Sequence, residues 1–144
     1  MNFNHQVTKA RRFGENFSAV SSETDRLAKE VVDSAFKVHS TLGPGLLESV
    51  YEICLAHELK KRGFKFQTQV PFPIFYDGLR LDAGLRIDLL VEDRLVVEIK
   101  AVETMQPVFD AQLLTYLKLT QKRLGLLINF NVPKIKDGIK RIIL

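Results

Sequence analysis

A single cysteine, Cys54, excludes a disulfide framework or a four-cysteine zinc site within one chain and suits a reducing, cytoplasmic setting. No apolar run approaches the roughly 18 residues of a membrane-spanning helix, and the N-terminus has no apolar signal-peptide core. These absences predict a soluble intracellular protein without a membrane partner. Histidine is scarce too: His5, His39 and His57 lack ligand spacing and read as surface or packing residues rather than zinc ligands. Gly43-Pro44-Gly45 follows a helical stretch rather than a strand, so it is no phosphate-binding loop. We find no internal repeat, no low-complexity segment and no arrangement of Ser, Cys and His that would support a nucleophilic triad.

What is present fits one domain, since a chain of 144 residues can bury a sizeable core. The net charge of +4 is unevenly spread. From Lys118 onward seven cations face Asp137 alone, leaving this end at +6 and residues 1–117 at −2. A basic end beside an acidic cluster suits a site that holds phosphate and cation together, while a solvated basic surface is the plainer reading.

Residues 1–22 are polar and aperiodic, which predicts a mobile tail whose Lys9, Arg11 and Arg12 could touch nucleic acid; residues 23–144 form the domain. Ser22 is the expected cap of a first helix with Leu27, Val31, Ala35, Val38 and Leu42 at helical spacing. A second helix follows the Gly-Pro-Gly stop, with Leu47, Val50, Tyr51, Cys54, Leu55 and Leu59 on its buried stripe. The period then becomes two from Phe64 to Phe72, the mark of a strand with one wet face, and Asp77-Gly78 is a hairpin turn. Thr104 can cap a third helix carrying Val108, Phe109, Leu113, Tyr116 and Leu117. The continuous apolar run from Leu124 to Phe130 predicts a central strand parallel to the one before that helix, and residues 139–144 a last edge strand.

The stretch Arg86-Ile-Asp88-Leu-Leu-Val-Glu-Asp-Arg-Leu-Val-Val-Glu98-Ile-Lys100 conflicts with its own pattern, because ionised groups sit inside runs suited to core strands. Register decides what they can do. A two-residue loop at Glu92 and Asp93 puts Asp88 opposite Val97 and Glu98 on the other face. A three-residue loop of Glu92, Asp93 and Arg94 puts Asp88 opposite Glu98, and Arg86 opposite Lys100. We expect the latter. Adjacent carboxylates repel, and a hard divalent cation such as Mg²⁺ or Mn²⁺ resolves this; with Lys100 on the same face they suit metal-assisted phosphodiester hydrolysis. An ordinary salt bridge from Lys100 to one acid is the competing reading.

Glu48, in the first turn of the second helix, either serves the helix end or supplies a third acidic ligand. Gln112 and Tyr116, four apart on the third helix, share one face, with core packing as the alternative for the Tyr116 ring.

Gly45-Leu-Leu-Glu48-Ser-Val-Tyr51 resembles the signature of the GxxExxY family, over about residues 24–144. That family is similar to the PD-(D/E)XK nuclease superfamily, which Asp88 and Glu98-Ile-Lys100 fit; Ile87 stands at its proline position, and Gln112-Leu-Leu-Thr-Tyr116 resembles its QxxxY element. The resemblance implies a restriction-endonuclease-like α/β/α sandwich with a mixed central sheet. It implies a Mg²⁺- or Mn²⁺-dependent nuclease in which Glu48, Asp88, Glu98 and the Ile99 backbone carbonyl hold the metal. Lys100 would activate water, and Gln112 and Tyr116 would position the substrate. DNA is the expected partner, with RNA still open; a homodimer fits because duplex cleavage needs two cuts, and a protein partner would let a domain of this size choose its substrate. The alternative is a non-catalytic nucleic-acid- or protein-binding module that keeps the fold.

Overall fold

The computed structural model describes the backbone of Val7–Lys9 and residues 19–144. Most of the expected tail, with Arg11 and Arg12, lies outside the described residues. Val7–Lys9 is a short strand, β1. It is followed by α1 (Ser22–Leu42), α2 (Glu48–Lys61), β2 (Phe66–Tyr76), β3 (Leu79–Val91), β4 (Leu95–Lys100), α3 (Pro107–Thr120), β5 (Leu124–Asn129) and β6 (Ile139–Ile143). A 3-10 turn, Ile135–Gly138, precedes β6.

The strands form one mixed sheet in the order β1-β6-β5-β4-β3-β2. The β4 and β5 strands run parallel through the α3 crossover, as a strand-helix-strand order requires, and β2, β3 and β4 pair antiparallel. The last strand β6 is not an edge, because β1 pairs with it in parallel. One face of the sheet buries Leu89, Val97, Ile99 and Leu126 against α1 and α2, which contribute Val31, Ala35, Tyr51 and Leu55. The other face buries Leu90, Val96 and Leu127 with Leu113 and Leu117 of α3. Helices on both faces make this the α/β/α sandwich with a mixed sheet that the resemblance implies. β5 is buried along its whole length, which is why its sequence is apolar without alternation.

Several boundaries shift for local reasons. The α1 cap is Ser21, whose hydroxyl accepts from the Thr24 N–H at 3.1 Å, rather than Ser22. Helix α3 begins at Pro107 instead of near Thr104, with proline in the first turn where its missing N–H costs nothing. Leu47 is the α2 cap residue and is 73% exposed, so it leaves the predicted stripe, of which Tyr51, Leu55 and Leu59 are buried. Leu42 also falls outside the core, at the surface end of α1.

The largest departure lies in the β2–β3 hairpin. Its turn is the expected one, with Tyr76 paired to Leu79 and positive φ at Asp77 and Gly78. Simple alternation, however, fails in mid-strand. Phe66 packs on the α1/α2 side, whereas Val70, Phe72 and Ile74 pack on the α3 side. On β3, Leu85 and Ile87 belong to the α3 side, and Leu89 and Val91 to the other. Both strands turn over at Gln69 and Asp88, where Gln69 has a left-handed backbone, φ +50°.

Candidate active site

The acids meet where β3 and β4 part. Val91 pairs with Leu95, so the loop is the three-residue one, and the backbone ladder ends at Leu89 opposite Val97. One step further, side chains replace backbone partners. The Asp88 N–H donates to Glu98 Oε1 at 3.3 Å, and the Ile99 N–H donates to Asp88 Oδ2 at 2.9 Å. Asp88 and Glu98 are thus neighbours across an opened strand pair. Because N–H and C=O of one strand residue point to the same side, the Ile99 carbonyl faces β3 as well.

Glu98 is 4% exposed, and its carboxyl is pushed up to about 9, first by burial and then by the charge of Asp88 and the hydrogen bond between the two side chains. Lys100 opposes this only weakly. Its ammonium lies 4.5 Å from the centre of the Phe109 ring, and among the described residues it makes no ion pair. The salt-bridge reading of Lys100 is therefore not met: the cation rests on an aromatic face near the acids, and among the described residues its N–H donors are uncommitted.

Glu48 stands in the first turn of α2 at the surface, yet its carboxyl is raised, by partial desolvation first and then by Asp88, with Lys100 pulling the other way. It thus senses both. It makes no hydrogen bond to the helix end, where Leu47 offers no side-chain cap either. Tyr51, one turn on, explains its placement. This buried tyrosine stacks on Phe130 at 4.5 Å, donates to the Gly43 carbonyl at 2.7 Å and accepts the Leu46 N–H at 3.1 Å. The preceding loop needs glycine at Gly45, φ +97°. Glycine, acid and tyrosine at this spacing therefore form one unit in which the last residue ties the loop that presents the acid.

On the opposite wall, Gln112 Nε2 donates to the Tyr116 hydroxyl oxygen at 3.2 Å. The Tyr116 hydroxyl is held above its ordinary pKa by burial first, then by Glu98 and Asp88, so it keeps its proton beside them.

The donor set of Asp88, Glu98 and nearby Glu48 is all hard oxygen, and a pair of acids, one buried and one half-buried, with no cationic side chain bonded to it among the described residues fits a divalent ion in charge and donor type. Among the described residues no group of three or more His, Cys, Asp or Glu is already gathered around one point. Glu48 is the acid that would have to close in.

Sequence reasoning missed three residues here. Glu52 accepts Gln69 Nε2 on both carboxylate oxygens, at 2.9 and 3.0 Å, and the same nitrogen lies 3.4 Å from Asp88 Oδ1. Buried Asn129, paired in register with Lys100, clamps the loops beyond both strands: its amide donates to the Val102 carbonyl at 2.9 Å and its oxygen accepts the Val102 and Asn131 N–H groups, both at 3.1 Å. An asparagine ending an apolar run was the one visible signal. Of the histidines, His39 is buried against the Val132 carbonyl at 2.8 Å and His57 lies outside the core, while His5 lies outside the described residues. The basic end is partly neutralised, since Lys122, Lys140 and Arg141 pair with Asp93, Asp110 and Asp25. Arg86 is exposed.

No curated protein and no solved structure matches the chain. A family model described as the PD-(D/E)XK nuclease superfamily matches residues 25–142. That span includes α2, the opened β3–β4 pair and α3, and the match points to a nuclease. The chain belongs to the PD-(D/E)XK nuclease superfamily.

Proposed function

We propose that this protein is a Mg²⁺- or Mn²⁺-dependent nuclease of the GxxExxY type that hydrolyses phosphodiester bonds in DNA. The observation that carries the reading is the contact of Asp88 with buried Glu98 across the opened strand pair, with an uncommitted Lys100 beside it. Glu48, Asp88, Glu98 and the Ile99 carbonyl would hold the cation. When bound, the ion supplies charge stabilisation on a phosphoryl oxygen and a more acidic water. Lys100 would orient the attacking water and stabilise the charge that develops on the phosphoryl group. Tyr116 keeps its proton and accepts from Gln112 through oxygen, so its own O–H is available to a phosphate oxygen. Because a duplex needs two cuts, the working unit on duplex DNA is a homodimer, or the domain acts with a protein partner that chooses its substrate. The lone cysteine favours the cytoplasm, and among the described residues no helix is long and apolar enough to cross a membrane.

The test is cleavage of single-stranded, duplex and branched DNA, and of RNA, with Mg²⁺ or Mn²⁺. Wild type should cut only with metal, and Glu98→Ala and Lys100→Ala should each reduce the rate by roughly a hundredfold or more. The variants should differ in one respect. Lys100→Ala should still be stabilised by Mn²⁺, by about 2.7 kcal/mol at a hundred times the dissociation constant, whereas Glu98→Ala should not. Metal-independent or mutation-insensitive cleavage would sink the reading. Binding of nucleic acid without cleavage or Mn²⁺ stabilisation would establish a binding module instead.

Phe109→Ala should lower the rate severalfold, the loss of a cation–π contact of about 0.5–1 kcal/mol, and Phe109→Tyr should restore it. Equal rates for Ala and wild type would show that the ring does not hold Lys100.

A further inference from the structure

We propose that Gln69 is a positioning residue of this site, holding the Asp88 carboxylate and tying it to α2; the inference rests on the nuclease reading above. Its backbone is left-handed inside β2, a conformation that residues with a Cβ seldom adopt and that belongs to turns. Here there is no turn. Thr68 pairs with Leu89 and Val70 with Ile87, but the Gln69–Asp88 position between them is unpaired.

The side chain shows what the backbone departure accomplishes. Gln69 Nε2 reaches Glu52 Oε1 and Oε2 at 2.9 and 3.0 Å and Asp88 Oδ1 at 3.4 Å. Two carboxylates at that end of the amide admit only the NH₂ group there, so the orientation is fixed by chemistry. One amide thus separates two like charges that would otherwise repel, and anchors Asp88 to the helix that carries Glu48. With Ile99 N–H on Oδ2 and Gln69 on Oδ1, both Asp88 oxygens have a donor. A left-handed residue at a strand interior, adjoining an acid pair, is the kind of local strain that persists where a site requires it.

Two substitutions separate this role from a merely structural one. Glycine adopts positive φ freely, so Gln69→Gly removes the amide while relaxing the backbone and should melt at or above the wild-type temperature. Gln69→Glu keeps the shape and removes the donors. In both we expect kcat on DNA to fall at least tenfold with KM changed less than threefold. In metal-free protein, hydrogen exchange at the Ile99 amide should quicken at least tenfold while Val97 stays as in wild type. Unchanged Ile99 exchange, or faster exchange with unchanged kcat, would overturn the proposal. If wild type cleaves no nucleic acid the nuclease reading fails, and Ile99 exchange alone then decides whether Gln69 holds Asp88: faster exchange supports that contact and unchanged exchange refutes it.

Discussion

Glu98→Gln is expected to give a protein that melts higher than wild type without metal and is inactive with it. The folded carboxyl is pushed up to about 9 from an ordinary 4.5, chiefly by burial and then by Asp88. The sign follows from which state binds the proton. Below pH 4.5 both folded and unfolded states carry it, and Glu98 does not weaken the fold. Between there and pH 9 the unfolded chain ionises while the folded one holds its proton, so stability falls by about 1.4 kcal/mol per pH unit. At pH 7 the loss is of order 3 kcal/mol. Above about 9 it levels off. Glutamine keeps the volume and hydrogen-bonding capacity without this titration, so the variant's melting temperature should be much flatter across roughly pH 5–9. Chelator-treated wild type and variant melted at several pH values would check this, and a wild-type profile as flat as the variant's would refute it. With Mn²⁺ present, cleavage by Glu98→Gln should fall by roughly a thousandfold, because an amide cannot supply the charge that a bound cation needs.

Tyr51 carries the second large effect. Tyr51→Ala is expected to destabilise the fold by about 4 kcal/mol, since a fully buried aromatic stacked on Phe130 is replaced by a cavity. Tyr51→Phe keeps the stack and loses two hydrogen bonds, to the Gly43 carbonyl and from the Leu46 N–H, at a cost of about 1–2 kcal/mol. For a chain of this size that is a fall in melting temperature of roughly 3–6 °C. The phenylalanine variant is the more informative one. It should stay folded at about 25 °C yet cleave DNA more slowly than its stability suggests, because the loop that presents Glu48 is released. A melting temperature equal to wild type would show that the hydroxyl does not tie the loop.

Much of this molecule could be read from residue order alone. Periods of about 3.6 and 2 distinguish helices from strands because each depends only on local geometry, and Asp77-Gly78 marks its turn because few residues accept positive φ. The pairing of Asp88 with Glu98 was legible for the same reason: a three-residue loop is the register that brings two costly charges to one place. Glu48 and Tyr51 could be named together but not explained, since the hydroxyl's partners are the loop before the helix and its ring partner is Phe130, far along the chain.

What order alone could not supply depends on chain segments that meet only after folding. Alternation assumes that every strand residue stays in the extended region, and the single left-handed residue Gln69 reverses it, moving Val70 and Phe72 to the α3 side. The separation of β3 from β4 beyond Leu89, with carboxylates filling backbone positions, is likewise invisible to a periodic pattern. Lys100 illustrates the division most plainly. Its place two residues after Glu98 follows from the sequence and puts both on one face of β4. Whether it would bridge an acid or rest on Phe109 was decided by α3 packing across the sheet, because a cation's partner is set by which groups tertiary contact brings within reach.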